Sequence, residues 1–73
     1  MSLLTVFARR EPTTDAVVKA HRGGAGKKDT VFYRDALCTE IMARIPWYQT
    51  GHPRRNSTKV TLNCFRWNLQ WVH

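Results

Sequence analysis

Seventy-three residues make one domain at most, and a chain of this length buries only about 60% of the surface its unfolded form exposes. Twelve Lys and Arg, eight of them Arg, stand against five Asp and Glu, and the resulting charge of +7 favours anionic partners: nucleic acid, an acidic protein surface or anionic lipid. A hydrophobic content of 42%, with three Trp, three Phe and two Tyr, excludes a chain disordered throughout, and no apolar run is long enough to span a bilayer.

Residues 2–8, SLLTVFA, are short, β-branched and aromatic, which predicts a strand, an edge element or pairing arm within an N-terminal arm of residues 1–12. The stretch runs straight into Arg9 and Arg10, unlike a signal peptide. Pro12 breaks the chain, and Thr13 or Thr14 can cap a brief helix, DAVVKAHR, with Asp15 in its first turn and Gly23 and Gly24 at its end. The glycines and lysines of residues 22–30 invite comparison with a phosphate-binding loop. Lys28 stands where that motif needs Ser or Thr and its first Gly is missing, so the segment reads as a flexible connector.

A second helix is expected after Asp29-Thr30, which offer capping oxygens, running from about residue 31 to about Ile45. Leu37, Cys38, Ile41, Met42 and Ile45 share helical spacing, Glu40 and Arg44 form an i, i+4 pair, and Pro46 marks the end. The turn-rich loop WYQTGHPRRNS comes next and carries Arg54 and Arg55. Residues 56–73, NSTKVTLNCFRWNLQWVH, fit two periods. As a helix from about residue 58 to 71 they align Val60, Cys64, Trp67 and Trp71 in one sector and leave Lys59, Asn63, Arg66 and Gln70 as a polar ridge. As a strand they require a bulge or bend, because apolar parity changes between Cys64 and Phe65. The helix needs fewer assumptions, and Ser57 or Thr58 supplies its cap.

The expected fold is therefore α+β or mostly α: one small domain of two to three helices, with an N-terminal strand and a C-terminal half similar to a helix-turn-helix DNA reader. In that reading Lys59, Asn63, Arg66 and Gln70 would address base edges and phosphates from the second helix. The loop between the helices is longer than the standard turn.

Cys38 and Cys64, each inside an apolar pattern, read as reduced core residues of a cytoplasmic protein. With His21, His52 and His73 they show no zinc-ligand spacing, and the acidic residues form no dyad, so neither metal, cofactor nor enzymatic activity is expected. Trp47, Tyr48, Trp67 and Trp71 near several arginines raise the possibility of stacking on single-stranded nucleic acid; Trp47 and Tyr48, just past a helix end, are the pair expected to be exposed and to anchor a protein.

A basic, cysteine-poor chain of this size and general character is similar to the small proteins that lytic bacteriophages encode to seize host machinery, most closely to transcription inhibitors and antiterminators. The resemblance implies a monomer in the host bacterial cytoplasm that binds RNA polymerase and inhibits or redirects it. Charge and exposure single out Arg9, Arg10, Trp47, Tyr48, Arg54 and Arg55 for partner contact, with sequence-specific DNA binding through the C-terminal ridge as the alternative.

Overall fold

The computed structural model describes residues 3–72. Its framework is a five-stranded mixed sheet: β1 (Thr5–Pro12), β2 (Lys28–Tyr33), β3 (Ile41–Ile45), β4 (Lys59–Leu62) and β5 (Phe65–Trp71), in the order β3-β2-β1-β5-β4. The one helix among the described residues, α1 (Asp15–Ala20), connects β1 to β2. Neighbouring strands pair antiparallel, except that β1 and β5 run parallel, Thr5 opposite Asn68 and Ala8 opposite Trp71. Because β3 and β4 lie at opposite edges, the segment between them must cross the sheet.

Strand alternation divides the side chains between two faces. On one, Val6, Ala8, Phe32 and Leu69 form a buried cluster, against which Ala43, Ile45, Val60, Leu62, Trp67 and Trp71 pack. The other face carries ordered charge. Val31 is fully buried in register between Arg9 of β1 and Arg44 of β3, whose aliphatic stems are suited to cover it. One pair along, Asp29 is 1% exposed: Arg44 Nε donates to its Oδ2 at 2.8 Å and the Trp47 N–H to its Oδ1 at 2.9 Å. Arg44 Nη2 also donates to the Pro12 carbonyl at 3.0 Å, so one guanidinium joins the ends of β1 and β2 to β3. Burial pushes the Asp29 carboxyl up, but the Arg44 bond, the Trp47 N–H and the charge of Arg44 outweigh it and leave it below its ordinary value.

The brief helix is present, capped by Thr14, whose Oγ1 accepts from the Val17 N–H at 3.3 Å. The two longer helices are not. Residues 31–45 form a β2–β3 hairpin. Its loop is organised by Asp35, which accepts from the Thr39 and Glu40 N–H groups and the Thr39 hydroxyl and is thereby held below the ordinary carboxyl value. Cys38 takes a left-handed φ of 57° in this loop. The register passes from Phe32–Ala43 to Tyr33–Ile41, so Met42 is an extra residue on β3; this bulge sets Ile41 beside Met42 and imitates helical spacing. Glu40 pairs with Arg34 and Arg44 with Asp29, replacing the expected Glu40–Arg44 pair.

Residues 59–71 are likewise a hairpin, β4–β5, turning at Asn63 and Cys64 with φ of 54° and 64°, the left-handed pair that a two-residue type I′ turn requires. Leu62 opposes Phe65 and Val60 opposes Trp67, so even positions on β4 share a face with odd positions on β5. The parity change at residue 64 is this turn. The helix-turn-helix expectation is thus overturned.

Three further expectations change. The N-terminal strand is not an edge or arm but the central strand, between β2 and β5, and it reaches Pro12. The glycine segment is more structured than a free connector: Gly24 is buried, the Thr13 N–H donates to the Lys27 carbonyl at 3.0 Å, and β2 begins at Lys28. The cysteines are free, but neither is core, since Cys38 is half-buried and Cys64 exposed.

Phe32 fills the centre of the buried cluster, so Phe32→Ala should cost about 3–5 kcal/mol, about all the stability that so small a domain possesses. Leu37→Ala, at a side chain 83% exposed, should change the urea midpoint little. Arg44→Met leaves the Asp29 carboxylate buried without its cation and should cost about 3–5 kcal/mol at neutral pH; Asp29→Asn, which keeps an acceptor for Trp47, should cost less. The depressed Asp29 value gives the parent stability that is present above about pH 4 and lost as pH falls through the native value. Without Arg44, burial raises Asp29 instead, so the deficit of Arg44→Met should narrow between urea titrations at neutral pH and at about pH 3.

Candidate functional site

β1 outruns its parallel partner. Pairing with β5 ends at Ala8–Trp71, the Val72 N–H donates to the Ala8 carbonyl at 2.8 Å, and Arg9–Pro12 continue beside β2 alone. Beyond that last pair Arg9 and Arg10, on opposite faces of β1, both line one opening. Lys28, Arg55, Trp71 and Val72 complete an open cleft of about 490 Å³.

Its cations differ in their freedom. Arg9 is held: its guanidinium lies 5.4 Å from the centroid of the Tyr33 ring, with Nη2 3.4 Å from the Tyr33 hydroxyl and 3.4 Å from Glu11 Oε1. Arg10, Lys28 and Arg55 are exposed, and no ion pair engages them among the described residues. Trp71 is half-buried, packed against the cluster of Val6, Ala8, Phe32 and Leu69, and its Nε1–H is shielded from solvent without an acceptor.

Arg55 reaches this cleft because the crossing segment is fastened down. The Trp47 N–H is bound by Asp29 at its start. Midway, His52 Nε2 lies 2.9 Å from the Pro46 carbonyl and Nδ1 2.6 Å from the buried hydroxyl of Thr30. A carbonyl only accepts, so in the neutral ring Nε2–H donates to Pro46 and Nδ1 accepts from Thr30. Thr30 is the cross-strand partner of Arg10, and the Ser57 N–H closes a turn on the Arg54 carbonyl at 2.9 Å, with Arg55 inside that turn.

A second group gathers just after α1, at its C-cap His21. Tyr48 stacks on His21 with centroids 3.9 Å apart and 24° between planes, and meets Trp47 edge-on at 5.7 Å. Trp47 is seated over Gly24, where a Cβ would lie 3.1 Å from the indole Nε1 and 3.2 Å from Cζ2. Tyr48 remains 42% exposed.

The six partner-contact candidates are therefore divided. Arg9, Arg10 and Arg55 share the cleft, Trp47 and Tyr48 form the aromatic group after β3 and not at a helix end, and Arg54 is exposed next to Arg55. The ridge of Lys59, Asn63, Arg66 and Gln70 does not exist as a helix surface. Asn63 is in the turn, while Lys59, Arg66 and Gln70 share the outer face of the β4–β5 hairpin by register, and the base-reading geometry goes with the helix that defined it. Sequence reasoning misses Lys28 as a cleft residue, and His52 and Thr30 as the fastening, because Lys28 reads as part of a free connector; it names Trp71 among rings that could stack but aligns it with a helix core. No family model, curated protein or solved structure matches the chain.

His52→Ala removes both contacts that fix the segment before Arg55 and leaves the buried Thr30 hydroxyl without its partner. It should destabilise by about 1–3 kcal/mol in urea titrations, the range for leaving a buried polar group unsatisfied, and amide exchange should quicken at Ser57, whose N–H closes the Arg55 turn, before it quickens in β1.

Proposed function

We propose that the protein is a non-enzymatic regulator of transcription, of the kind lytic bacteriophages encode, that binds RNA polymerase of the host and inhibits or redirects it in the bacterial cytoplasm. The observation that carries the contact is Tyr48. Large exposed aromatics held in one conformation are the side chains from which interface hot spots are made, because little rotamer entropy remains to be lost on binding. The Tyr48 ring, 42% exposed, is stacked on His21 and in T-shaped contact with Trp47. Arg54, exposed on the same crossing segment, supplies positive charge that speeds encounter with an acidic surface. No helix among the described residues is long and apolar enough to cross a membrane, which is compatible with this setting.

Affinity capture from a bacterial lysate tests the proposal. Tagged protein should enrich RNA polymerase subunits over a small basic protein of equal charge, and equal recovery with the control sinks the reading. Tyr48→Ala should reduce recovery of polymerase at least tenfold, about 1.4 kcal/mol or more, while leaving the urea midpoint near that of the parent.

A further inference from the structure

We propose that the cleft at the open end of β1 binds the phosphodiester backbone of single-stranded nucleic acid, a site separate from the Tyr48 surface and independent of any contact with polymerase. Three observations converge on it. Arg10, Lys28 and Arg55 point exposed, unpaired charge at one opening of about 490 Å³, the scale of a nucleotide and not of a duplex. Arg9 adds a fourth cation held in place by Tyr33 and Glu11, so its charge is positioned before a ligand arrives. Trp71 lines the same opening and sets an indole ring beside the cations.

An acidic peptide would also satisfy the cations. Nucleic acid is favoured by the pairing of an aromatic ring with several arginines and a lysine, because every nucleotide presents both a phosphate and a π-face. The site needs no base-edge readout, and among the described residues that line it only the cations and the indole carry side-chain hydrogen-bonding groups, so binding tolerates sequence. RNA and DNA strands share the chemistry.

The test is fluorescence anisotropy with labelled twelve-nucleotide oligouridylate and oligothymidylate, titrated with the full chain over a range of salt concentrations. If three free cations each displace a counterion, the logarithm of affinity should fall against the logarithm of salt with a slope of about −2, at about 0.7 per phosphate for single strands. Arg10→Ala and Arg55→Ala, both at exposed side chains, should each weaken binding several-fold and flatten the slope by about 0.7. Lys19→Ala, which removes an equal charge from the exposed end of α1, should change affinity less than twofold. Bound oligonucleotide should quench tryptophan emission in the parent and much less in Trp71→Phe, compared after both are shown to be folded by circular dichroism. Equal weakening by all three alanine variants would mean that only the overall field of the protein is felt, and the site is refuted. Polyglutamate of matching charge competing as well as the oligonucleotide, with unchanged dependence on Arg10 and Arg55, would assign the cleft to acidic protein and overturn the proposal.

Discussion

A carboxylate buried beneath one arginine holds the architecture together. Asp29 sits where β1 ends and β2 begins, and the Arg44 guanidinium that neutralises it also binds the Pro12 carbonyl, while its second oxygen takes the Trp47 N–H. Three strand ends and the start of the crossing segment thus meet at one charge. A buried ion pair of this kind is weak as a source of net stability but strict about geometry, since every displaced partner leaves an unsatisfied group behind. In a sheet with only six buried hydrophobic residues among those described, that strictness fixes the direction in which the chain departs from β3.

The departure from β3 sets the positions of Trp47, Tyr48 and Arg55. The Asp29–Trp47 bond places Trp47 over Gly24, Trp47 braces Tyr48, and His52 then ties the segment to Thr30 before Arg55 arrives at the cleft. The aromatic group and the basic cleft are two stations along one strap. The two proposed contacts share no side chain, so in a domain of 73 residues one would not exclude the other.

Much of the strand content is hidden in the sequence for identifiable reasons. The β3 bulge at Met42 breaks the period of two and leaves apolar residues at helical intervals. The β4–β5 turn uses Cys64 where Asn-Gly or Asp-Gly would have announced a hairpin, so the change of parity at residue 64 looks like a defect of the strand reading when it is the signature of two strands. Thr14, Asp15 and the glycines are legible because capping and chain reversal are local chemistry. Of the cleft, the arginines are visible as charge, but the approach of Arg9, Arg10 and Arg55 depends on pairings between distant segments, which composition does not encode. Asp29 passes in the sequence for the cap of a helix that does not form.

The parallel seam between β1 and β5 has a kinetic consequence. Both flanking units, β1–β2–β3 and the β4–β5 hairpin, are built from antiparallel neighbours and can form by short-range closure, whereas the seam joins the two most sequence-distant strands of the sheet. Closing so large a loop carries an entropic cost that no local contact offsets, so docking of the hairpin is the natural slow step of folding. Until it happens, Val6 and Ala8 lack Leu69 and Trp71 as neighbours, and β1 presents an unpaired edge to any other chain in the vicinity. The positive charge at Arg9 and Arg10 on that same strand then has a protective use during synthesis: it makes two half-folded copies repel each other before the seam is made.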